Sequence, residues 1–410
     1  MPVDRLDALL RGELAQLDAQ GTRKGREKVV VGVVPAAGDR GPRFALRGEG
    51  ERRFLRMNSN GYLGLALRSE LVEAEEAAVR RYGTGPGAVR FISGTYDVHV
   101  ELEAALAAFH GREAGMIFSS AYAAVVGILP ALVGEQSLVL SDALNHNCII
   151  NAIRLAKAGE KRVYRHLDME ELEAELGAGV GKFRRALVVT DGIFSMRGDH
   201  APLASLQERV RRFDALYPEN VLVVVDDSHG VGAFGDTGRG TEEFTGCPPA
   251  DLLVGTLGKA FGVNGGYVVG SRVVCDYLRE KASMYVYSNP ITPAEAAAAL
   301  AALAIVDGPA GRALLEHLRR MTSRFKHGLE SLGYETLPGE HPVVPLMVRD
   351  TARTAALVRH LFAHEVLATG LAYPVVPRGD EEIRFQISAD HTPADVDYAL
   401  DVLAGFRERG

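Results

Sequence analysis

Two charged residues in the middle of the chain follow short apolar segments. Val221–Val225 leads into Asp226, and Leu252–Val254 leads into a glycine-rich segment that contains Lys259. Glycines let the backbone turn sharply but bury no surface of their own. Taken alone, Lys259 is most simply interpreted as a solvent-exposed lysine. The presence of Asp226 at the end of another strand-like segment favours a chemical role for both side chains.

A lysine and a carboxylate at neighbouring strand ends are what pyridoxal phosphate (PLP) requires of a protein. In open α/β sheets, ligands bind at the carboxyl ends of the strands. The lysine amine bonds the aldehyde of the cofactor, and the carboxylate keeps the ring nitrogen protonated so that the ring withdraws electrons. Lys259 and Asp226 therefore predict a PLP site.

Two other interpretations of the Asp226 segment have to be weighed. Asp226, Asp227 and His229 could ligate a metal, but no further cluster of histidines or carboxylates follows at a useful spacing. Residues 230–235 match the GxGxxG pattern of dinucleotide sites. However, Asp-Asp-Ser-His separates those glycines from the strand, and residues 236–240 stand where a helix should begin. We therefore expect neither a metal nor a dinucleotide.

The elements that must position these residues alternate between strands and helices from Asn58 onward. Short apolar segments predict strands at 115–118, 137–140, 161–164, 186–190, 221–225 and 252–254. Helical spacing predicts helices at 98–109, 146–157, 168–176 and 202–215. Continuous apolar segments are typical of strands that are covered on both faces. The alternation predicts an α/β fold with a mostly parallel sheet.

Three regions are expected along the chain. Residues 1–57 hold an amphipathic helix (4–20) and a hairpin, 58–305 form the large α/β domain, and 306–410 form a smaller α+β domain. The pattern in the last region predicts a helix at 310–332, a strand at 343–347, a helix at 354–365, a strand ending near Pro374, a strand at 383–387 and a helix at 392–406. We expect the N-terminal helix and hairpin to pack with this smaller domain.

The composition of the 410 residues argues against several classes of protein. The chain has 47% hydrophobic residues, 24% charged residues and a net charge of −7, whereas nucleic-acid and membrane-surface binders need a basic patch. Its three cysteines are scattered without CxxC spacing, which argues against a disulfide framework or a structural zinc site. No apolar run reaches the roughly 18 residues of a membrane span, and the N-terminus lacks an apolar signal segment. A cytoplasmic location is expected.

Several motifs occur together in a fixed order along most of the chain. They are residues 60–65, 89–95, 191–196, 226–229 and 255–262. In this combination the chain resembles the α-oxoamine synthases, a family of PLP-dependent enzymes, from about residue 58 to the C-terminus. The resemblance implies the fold of PLP-dependent transferases of fold type I and a homodimer with shared active sites. It also implies decarboxylative condensation of an amino acid with an acyl thioester such as acyl-CoA.

The same resemblance implies which residues hold the cofactor. They are Ser120, Ala121, Tyr122, His146, Ser195, Asp226, His229, Thr256, Lys259 and Ser288 of the partner subunit. Of these, the predicted catalytic residues are His146, Asp226, His229 and Lys259. His146 would stack on the ring, and His229 and Ser195 would bind its phenolic oxygen. The helix after Ser120 would bind the phosphate. From the residues alone, Ser120 is a helix cap and His146 a cap or core residue.

Two further residues are implied to bind the amino-acid substrate. Arg384 lies in an alternating strand, where its guanidinium would hold the substrate carboxylate through two hydrogen bonds. The alternative for Arg384 is a surface ion pair with Glu381 or Glu382. Asn60 matches a substrate-contacting position of the family and is otherwise a turn residue.

Local motifs also indicate a substrate. Residues 373–379 and 388–393 are most similar to the 2-amino-3-ketobutyrate CoA ligase (glycine C-acetyltransferase) branch, which implies glycine and a short acyl-CoA. Departures from the family pattern are Ala121, Val125, Asn147, Cys148 and Glu382, the last where many members have an arginine. They leave open a biosynthetic member that uses alanine, serine or a carrier-protein thioester, or a PLP-dependent aminotransferase. A non-catalytic subunit is not expected, because the predicted cofactor lysine is present.

Overall fold

The computed structural model describes residues 3–20, 23, 27–373 and 375–407. Its strands are β1 (Val30–Val34), β2 (Arg43–Leu46), β3 (Leu55–Arg56), β4 (Ala114–Phe118), β5 (Ser137–Asp142), β6 (Glu160–Tyr164), β7 (Arg185–Asp191), β8 (Val221–Asp226), β9 (Leu252–Thr256), β10 (Gly266–Gly270), β11 (Glu335–Thr336), β12 (Val343–Met347), β13 (Val366–Leu367), β14 (Thr369–Leu371) and β15 (Glu382–Gln386). The strand expected to end near Pro374 ends at Leu371, and Pro374 itself lies outside the described residues.

The helices surround these strands. They are α1 (Asp4–Ala19), α2 (Ser69–Tyr82), α3 (Asp97–Phe109), α4 (Ala121–Leu132), α5 (Asn147–Leu155), α6 (Met169–Gly179), α7 (Leu203–Phe213), α8 (Thr241–Thr245), α9 (Arg272–Lys281), α10 (Ser283–Val286), α11 (Pro293–Val306), α12 (Pro309–Ser331), α13 (Thr351–Ala363) and α14 (Pro393–Arg407). No single described helix is both long and apolar enough to cross a membrane; α11 and α12 pass that test only together, as a pair bent by 75°.

A sheet of seven strands forms the centre of the described chain, in the order β4-β10-β9-β8-β7-β5-β6. The strands from β9 to β6 are parallel neighbours, and β10 runs antiparallel to both β4 and β9. The predicted α/β fold with a mostly parallel sheet is therefore confirmed.

Strand β7 shows why the central strands are apolar throughout. Ala186 and Val188 pack into one core cluster, while Leu187 and Val189 pack into a second cluster on the opposite face. All four side chains are buried. Because both faces of the sheet are covered, neither set of alternating positions can be polar.

A second sheet of antiparallel strands, β11-β12-β15-β14, forms the smaller α+β part with helices α12 to α14. The β1–β2 hairpin packs against this part as expected, because the N–H of Gly41 donates to Asp395 of α14 at 2.9 Å. Helix α1 behaves differently from the expectation, since it buries none of its residues in this chain. In the described part of the chain, its Leu6, Leu9, Leu10 and Leu14 are exposed by 42 to 59%. The domain limits at residues 57 and 305 stay a prediction.

Candidate active site

A cavity of about 230 Å³ lies at the carboxyl edge of the central sheet. It brings together all the predicted cofactor-binding residues except Ser288. The sheet explains this convergence, because β7 and β8 end in register at Asp191 and Asp226, and the neighbouring β9 ends at Thr256. Residues far apart in the chain therefore meet at one edge.

Asp226 is buried, and its carboxylate is held mainly through one oxygen, with a longer contact from a thiol to the other. Oδ1 accepts hydrogen bonds from the backbone N–H and the hydroxyl of Ser228, at 3.1 and 2.5 Å. Oδ2 accepts from the thiol of Cys148 at 3.4 Å. A carboxylate fixed in this way can turn its second oxygen to a protonated ring nitrogen, which is the role predicted for Asp226.

Lys259 reaches the same cavity from the loop that follows β9. Burial lowers the pKa of its amine to about 8, against the opposing attraction of Asp226 and Asp191. Part of the amine population is therefore uncharged near neutral pH. Only an uncharged amine has the lone pair that bonds an aldehyde or accepts a proton. The cavity thus fits a cofactor that is linked through this lysine.

His146 caps the start of helix α5. Its backbone N–H donates to Oδ2 of Asp191 at 2.9 Å, and its Nδ1 accepts from the backbone N–H of Cys148 at 3.3 Å. Burial lowers the pKa of His146, and the positive charge of Lys259 acts in the same direction. The imidazole is therefore uncharged near neutral pH, which suits stacking on a flat ring.

His229 is fixed from two sides. The hydroxyl of Tyr62 lies 2.7 Å from Nδ1, and Nε2 of His341 donates to the carbonyl oxygen of His229 at 2.9 Å. Burial moves the pKa of His229 well below its usual value, and Lys259 lowers it further. Tyr62 was not predicted as a site residue, although it lies in the 60–65 motif, because it meets His229 only across 167 positions of sequence.

The N-terminus of helix α4 forms one end of the cavity. Ser120 caps this helix, and its Oγ accepts from the N–H of Ala123 at 3.0 Å. The first N–H groups of a helix lack intrahelical partners and attract anions. Those of Ala121 and Tyr122 belong to residues of the cavity wall. Strand β10 passes so close that a Cβ on Gly266 would overlap with Ala121. This end of the cavity suits a phosphate group.

The two other residues predicted to contact the phosphate, Thr256 and Ser288, do not point a free hydroxyl into the cavity in this chain. Thr256 lines the cavity, but its hydroxyl donates to the carbonyl oxygen of Gly265 and accepts from the N–H of Gly258, both at 3.1 Å. It must therefore turn before it can donate to a phosphate. Ser288 lies away from this cavity, beside the exposed Tyr287. A contact with the cavity of the partner subunit stays a prediction.

Arg384 lies beside the cavity on β15, where its Nη1 donates to the carbonyl oxygen of Ser195 at 3.0 Å. The alternative of an ion pair with a neighbouring glutamate is not found in the described residues. Glu381 instead accepts from the hydroxyl of Thr351 at 3.0 Å, and Oε1 of Glu382 has no hydrogen-bond partner there. The guanidinium is therefore not paired with a carboxylate among the described residues.

Asn60 is connected to Arg384 through the amide of Gln386. The Asn60 and Gln386 amides contact each other at 2.7 Å. When the amide oxygen of Gln386 faces the guanidinium, it accepts from Nη2 of Arg384 at 2.9 Å. These two contacts use opposite orientations of the same amide, so the structure places Gln386 beside both predicted substrate-binding residues.

Asp191 and Cys148 are two of the four wall residues of the cavity that were not predicted to have a role. Asp191 adds a second carboxyl group, whose pKa is raised well above its usual value by burial and by the negative charge of Asp226. Cys148, noted only as a departure from the family, places its Sγ 3.0 Å from Nδ1 of His146. Both lie in segments that the sequence had marked, the 191–196 motif and the start of α5.

The glycines of segment 230–235 have a structural role. Asp227 points away from the cavity, and its carboxylate accepts from the N–H and hydroxyl of Thr241, both at 2.6 Å. Gly192, Gly230 and Gly240 enclose it so closely that a Cβ on any of them would overlap with the Asp227 side chain. In the described part of the chain, no group of three or more His, Cys, Asp or Glu side chains could hold a metal ion.

A second chamber of about 400 Å³ adjoins the cavity and shares His146 and Ser195 with it. Phe194, Met196 and Met347 contribute apolar surface to its wall. The chamber is therefore a partly apolar space that opens beside the cofactor cavity.

Comparison with known proteins places these features in context. The family model "Aminotransferase class I and II" matches residues 52–403. The 8-amino-7-oxononanoate synthase of Geobacter sulfurreducens is 40% identical over 400 residues, which cover 96% of this chain and 97% of that protein. The enzyme of that name from Thermosipho melanesiensis is 40% identical over 351 residues, 85% of this chain and 87% of that one.

Solved structures are similar over nearly the whole chain. The serine palmitoyltransferase of Sphingomonas wittichii superposes with a TM-score of 0.88 at 26% identity, covering 99% of this chain and 98% of that one. The serine palmitoyltransferase of S. paucimobilis, in a structure that contains PLP joined to myriocin, gives 0.87 at 25% identity with the same coverage.

Proposed function

Because the chain belongs to the class I and II aminotransferase family, as one of its PLP-dependent α-oxoamine synthases, we propose that it joins L-alanine to a seven-carbon dicarboxylic acyl thioester. The protein is a PLP-dependent acyltransferase that condenses an amino acid with an acyl thioester. Loss of the amino-acid carboxylate as carbon dioxide would leave an α-amino ketone.

The carbon skeleton that a relative's name describes supports this choice of the two substrates. An 8-amino-7-oxononanoate has nine carbons, a ketone at carbon 7 and an amine at carbon 8. Carbons 8 and 9 match the α-carbon and methyl group of alanine, and carbons 1 to 7 match a pimeloyl group. The expected pair of glycine and a short acyl-CoA is therefore less well supported than its alternative, a biosynthetic enzyme that uses alanine. One methylene separates substrates by only about 1–3 kcal/mol, so glycine should react more slowly rather than not at all.

The residues of the cavity would divide the reaction among them. When bound, PLP supplies an electron-withdrawing ring that stabilises negative charge at the α-carbon of the amino acid. Asp226 would keep the ring nitrogen protonated, and Arg384 would orient the amino acid by its carboxylate. Lys259, released as the amino acid binds, would take the α-proton, a task suited to an amine with a lowered pKa. His146 and His229 would contact the cofactor as uncharged rings.

The observation that carries this proposal is the meeting of Lys259, Asp226 and His146 on one cavity, with Arg384 beside it. The test is a matrix of glycine, alanine and serine against acetyl-, succinyl-, pimeloyl- and palmitoyl-CoA, scored by release of free thiol. Alanine with pimeloyl-CoA should be the fastest pair. A faster reaction of glycine with acetyl-CoA would restore the first expectation. Amine transfer to a 2-oxo acid without thiol release would indicate an aminotransferase.

The covalent role of Lys259 has its own test. Borohydride reduction of the wild-type protein should fix the cofactor on the peptide that contains Lys259. Lys259→Ala should remain unlabelled and lose activity, whereas Lys161→Ala, at an exposed lysine of β6, should behave like the wild type. Labelling that persists in Lys259→Ala would contradict the assignment.

We further propose a homodimer in which Ser288 of the partner subunit completes each cavity. The position of Ser288, away from the cavity of its own chain, supports this arrangement. The choice between CoA and a carrier protein as the thioester, and the cytoplasmic location, stay predictions of the sequence.

A further inference from the structure

Glu382 carries a buried carboxyl group that the proposed reaction does not use. Glu382 is only 2% exposed, and its Oε1 has no hydrogen-bond partner among the described residues. Buried polar groups are nearly always paired, so an unpaired one inside a chamber wall requires an explanation. The neighbouring Glu381 shows the ordinary case, since its carboxylate accepts from Thr351 and from the N–H of Gly379.

The strand that carries Glu382 aims it at the substrate side of the site. Side chains two positions apart on a strand project from the same face, about 7 Å from one another. Glu382, Arg384 and Gln386 therefore form one row on β15, in which Arg384 contacts Ser195 of the cofactor cavity. Glu382 lines the second chamber, among apolar side chains such as Phe194 and Met347.

Burial leaves the carboxyl group of Glu382 mostly protonated at neutral pH. Burial raises the pKa of Glu382 to about 8, although the positive charges of Arg384 and Arg197 act against this shift and Asp380 acts with it. Nε of Arg197 donates to Asp199 at 2.8 Å. Burial lowers the pKa of another wall residue, His146. A protonated carboxyl group is a hydrogen-bond donor that needs an acceptor.

We propose that Glu382 is a specificity-determining residue for the acyl donor, whose carboxylic acid donates a hydrogen bond to an acceptor oxygen at the far end of the acyl group. This inference rests on the proposed function, in which that oxygen belongs to the terminal carboxylate of a pimeloyl group. A hydrogen bond from an acid to a carboxylate is among the strong, charge-assisted kind. An acyl group that ends in a methyl group would leave the buried carboxylic acid of Glu382 without a hydrogen-bond acceptor.

The test compares two CoA thioesters of equal carbon number, pimeloyl-CoA and heptanoyl-CoA, with alanine as the second substrate. The quantity measured is the ratio of their kcat/KM values, which cancels effects on the shared chemistry. Glu382→Met, which removes the donor, should lower the ratio by roughly 10- to 100-fold. Glu382→Gln, which keeps an N–H donor, should retain most of it. Glu381→Gln, next in the chain, should leave the ratio unchanged.

The pH dependence adds a readout that a purely structural role would not move. In the wild type, the ratio should be highest below about pH 8 and fall above it, since kcat/KM reports the ionisation of the free enzyme. In Glu382→Gln the ratio should be flat across that range. An unchanged ratio in Glu382→Met, with cofactor absorption intact, would overturn the inference alone. Failure of both thioesters with every amino acid would instead contradict the proposed function.

Discussion

Three titratable side chains of the cofactor cavity, His146, His229 and Lys259, have lowered pKa values, and burial is the largest cause for each. Two of the three are imidazoles, for which a lowered pKa favours the uncharged form, whereas burial lowers the pKa of the lysine amine to about 8. The group that changes charge within the working pH range of most enzymes is therefore the lysine. The histidines act through their shape and hydrogen bonds.

At this residue scale, Tyr62→Phe tests how His229 is held. The change removes the 2.7 Å contact with Nδ1 and leaves a buried ring nitrogen without a partner. The free energy of unfolding should fall by about 1–3 kcal/mol. The visible absorption of the bound cofactor should also shift, because the predicted contact of His229 with the cofactor loses its orientation. Denaturant unfolding and absorption spectra measure the two effects.

Tyr217→Phe is the matched control for that change. Its hydroxyl is also buried and donates to the carbonyl oxygen of Leu176 at 2.7 Å, but Tyr217 does not line the cavity. This variant should lose similar stability and keep the wild-type absorption. If Tyr62→Phe also keeps it, the tyrosine stabilises the fold without orienting the site.

The sequence singles out Lys259 and Asp226 because each follows a strand-like segment, and the structure brings both to one cavity. Tyr62 and Cys148 are harder to predict. Their contacts with His229 and Asp226 span 167 and 78 positions, so they depend on how distant elements pack. No periodicity or spacing encodes such a contact.

At the scale of elements, the close passage of β10 past helix α4 is testable by Gly266→Ala. The added Cβ would overlap with backbone atoms of Ser120 and Ala121, which cannot move aside as a flexible side chain can. We expect a loss of about 1–3 kcal/mol of stability and weaker binding of PLP, since the N–H groups at this helix end would be displaced. Cofactor titration and thermal unfolding measure these losses.

Gly134→Ala provides the comparison, because a Cβ at Gly134 meets no atom within 4 Å. It should bind PLP as the wild type does. Wild-type affinity for PLP in Gly266→Ala would show that the helix end is not held by the strand.

The loop after β7, which carries Ser195, is held in place by a histidine that lies between two carboxylates. Nδ1 and Nε2 of His166 lie 2.9 and 3.2 Å from Asp142 and Asp199. Burial alone would lower the pKa of His166, but hydrogen bonds to these two carboxylates raise that pKa to about 9. An unfolded histidine titrates near 6.5, so this stabilisation is complete below about pH 6.5 and is lost as the pH rises through 9.

His166→Asn should therefore lower the free energy of unfolding by up to about 3 kcal/mol at pH 6 and by much less at pH 10. Denaturant titrations at both pH values measure the difference. His327→Asn, at an exposed histidine, should show no such pH dependence. An equal loss for His166→Asn at both pH values would mean that the ring is not charged in the folded protein.

Most elements are predictable from periodicity, and the failures have physical reasons. Strand β10 escapes prediction because glycines begin and end a run of only three apolar residues, Tyr267, Val268 and Val269. Its antiparallel direction also breaks the strand–helix alternation. Helix α1 is predicted correctly as a helix, but an amphipathic pattern does not identify what the apolar face contacts.

At the scale of the whole molecule, several large apolar side chains remain exposed in the single chain. Phe91, Ile92 and Tyr287 are exposed by 66, 65 and 80%. Phe91 and Ile92 lie in the 89–95 motif, and Tyr287 precedes Ser288. Exposed apolar surface beside functional segments is typical of protein–protein interfaces, which supports the proposed homodimer.

Mixed dimers test whether the active sites are shared. Chains with Lys259→Ala and chains with Ser288→Asp should each be inactive alone. Random mixing of the two chains makes about half of the dimers heterodimers. If Ser288 serves the partner subunit, each heterodimer has one intact site out of two. About a quarter of wild-type activity should therefore return. Without shared sites, mixing would restore none of it.

Phe91→Asp should weaken the dimer itself, measured by sedimentation. Val163→Asp, at an equally exposed valine on the edge strand β6, should not. A Phe91→Asp protein that stays dimeric and active at high dilution would place the interface elsewhere.

The enclosure of Asp227 by three glycines also limits how this enzyme could be altered. A side chain at position 192, 230 or 240 would collide with a carboxylate on which the surrounding turns depend. Random mutagenesis of those turns would therefore yield mostly unfolded proteins, whatever the desired activity. The outer wall of the second chamber carries no such constraint at the exposed Val375. Laboratory evolution toward new acyl donors would accumulate its changes on that wall and leave the cofactor edge of the sheet as it is.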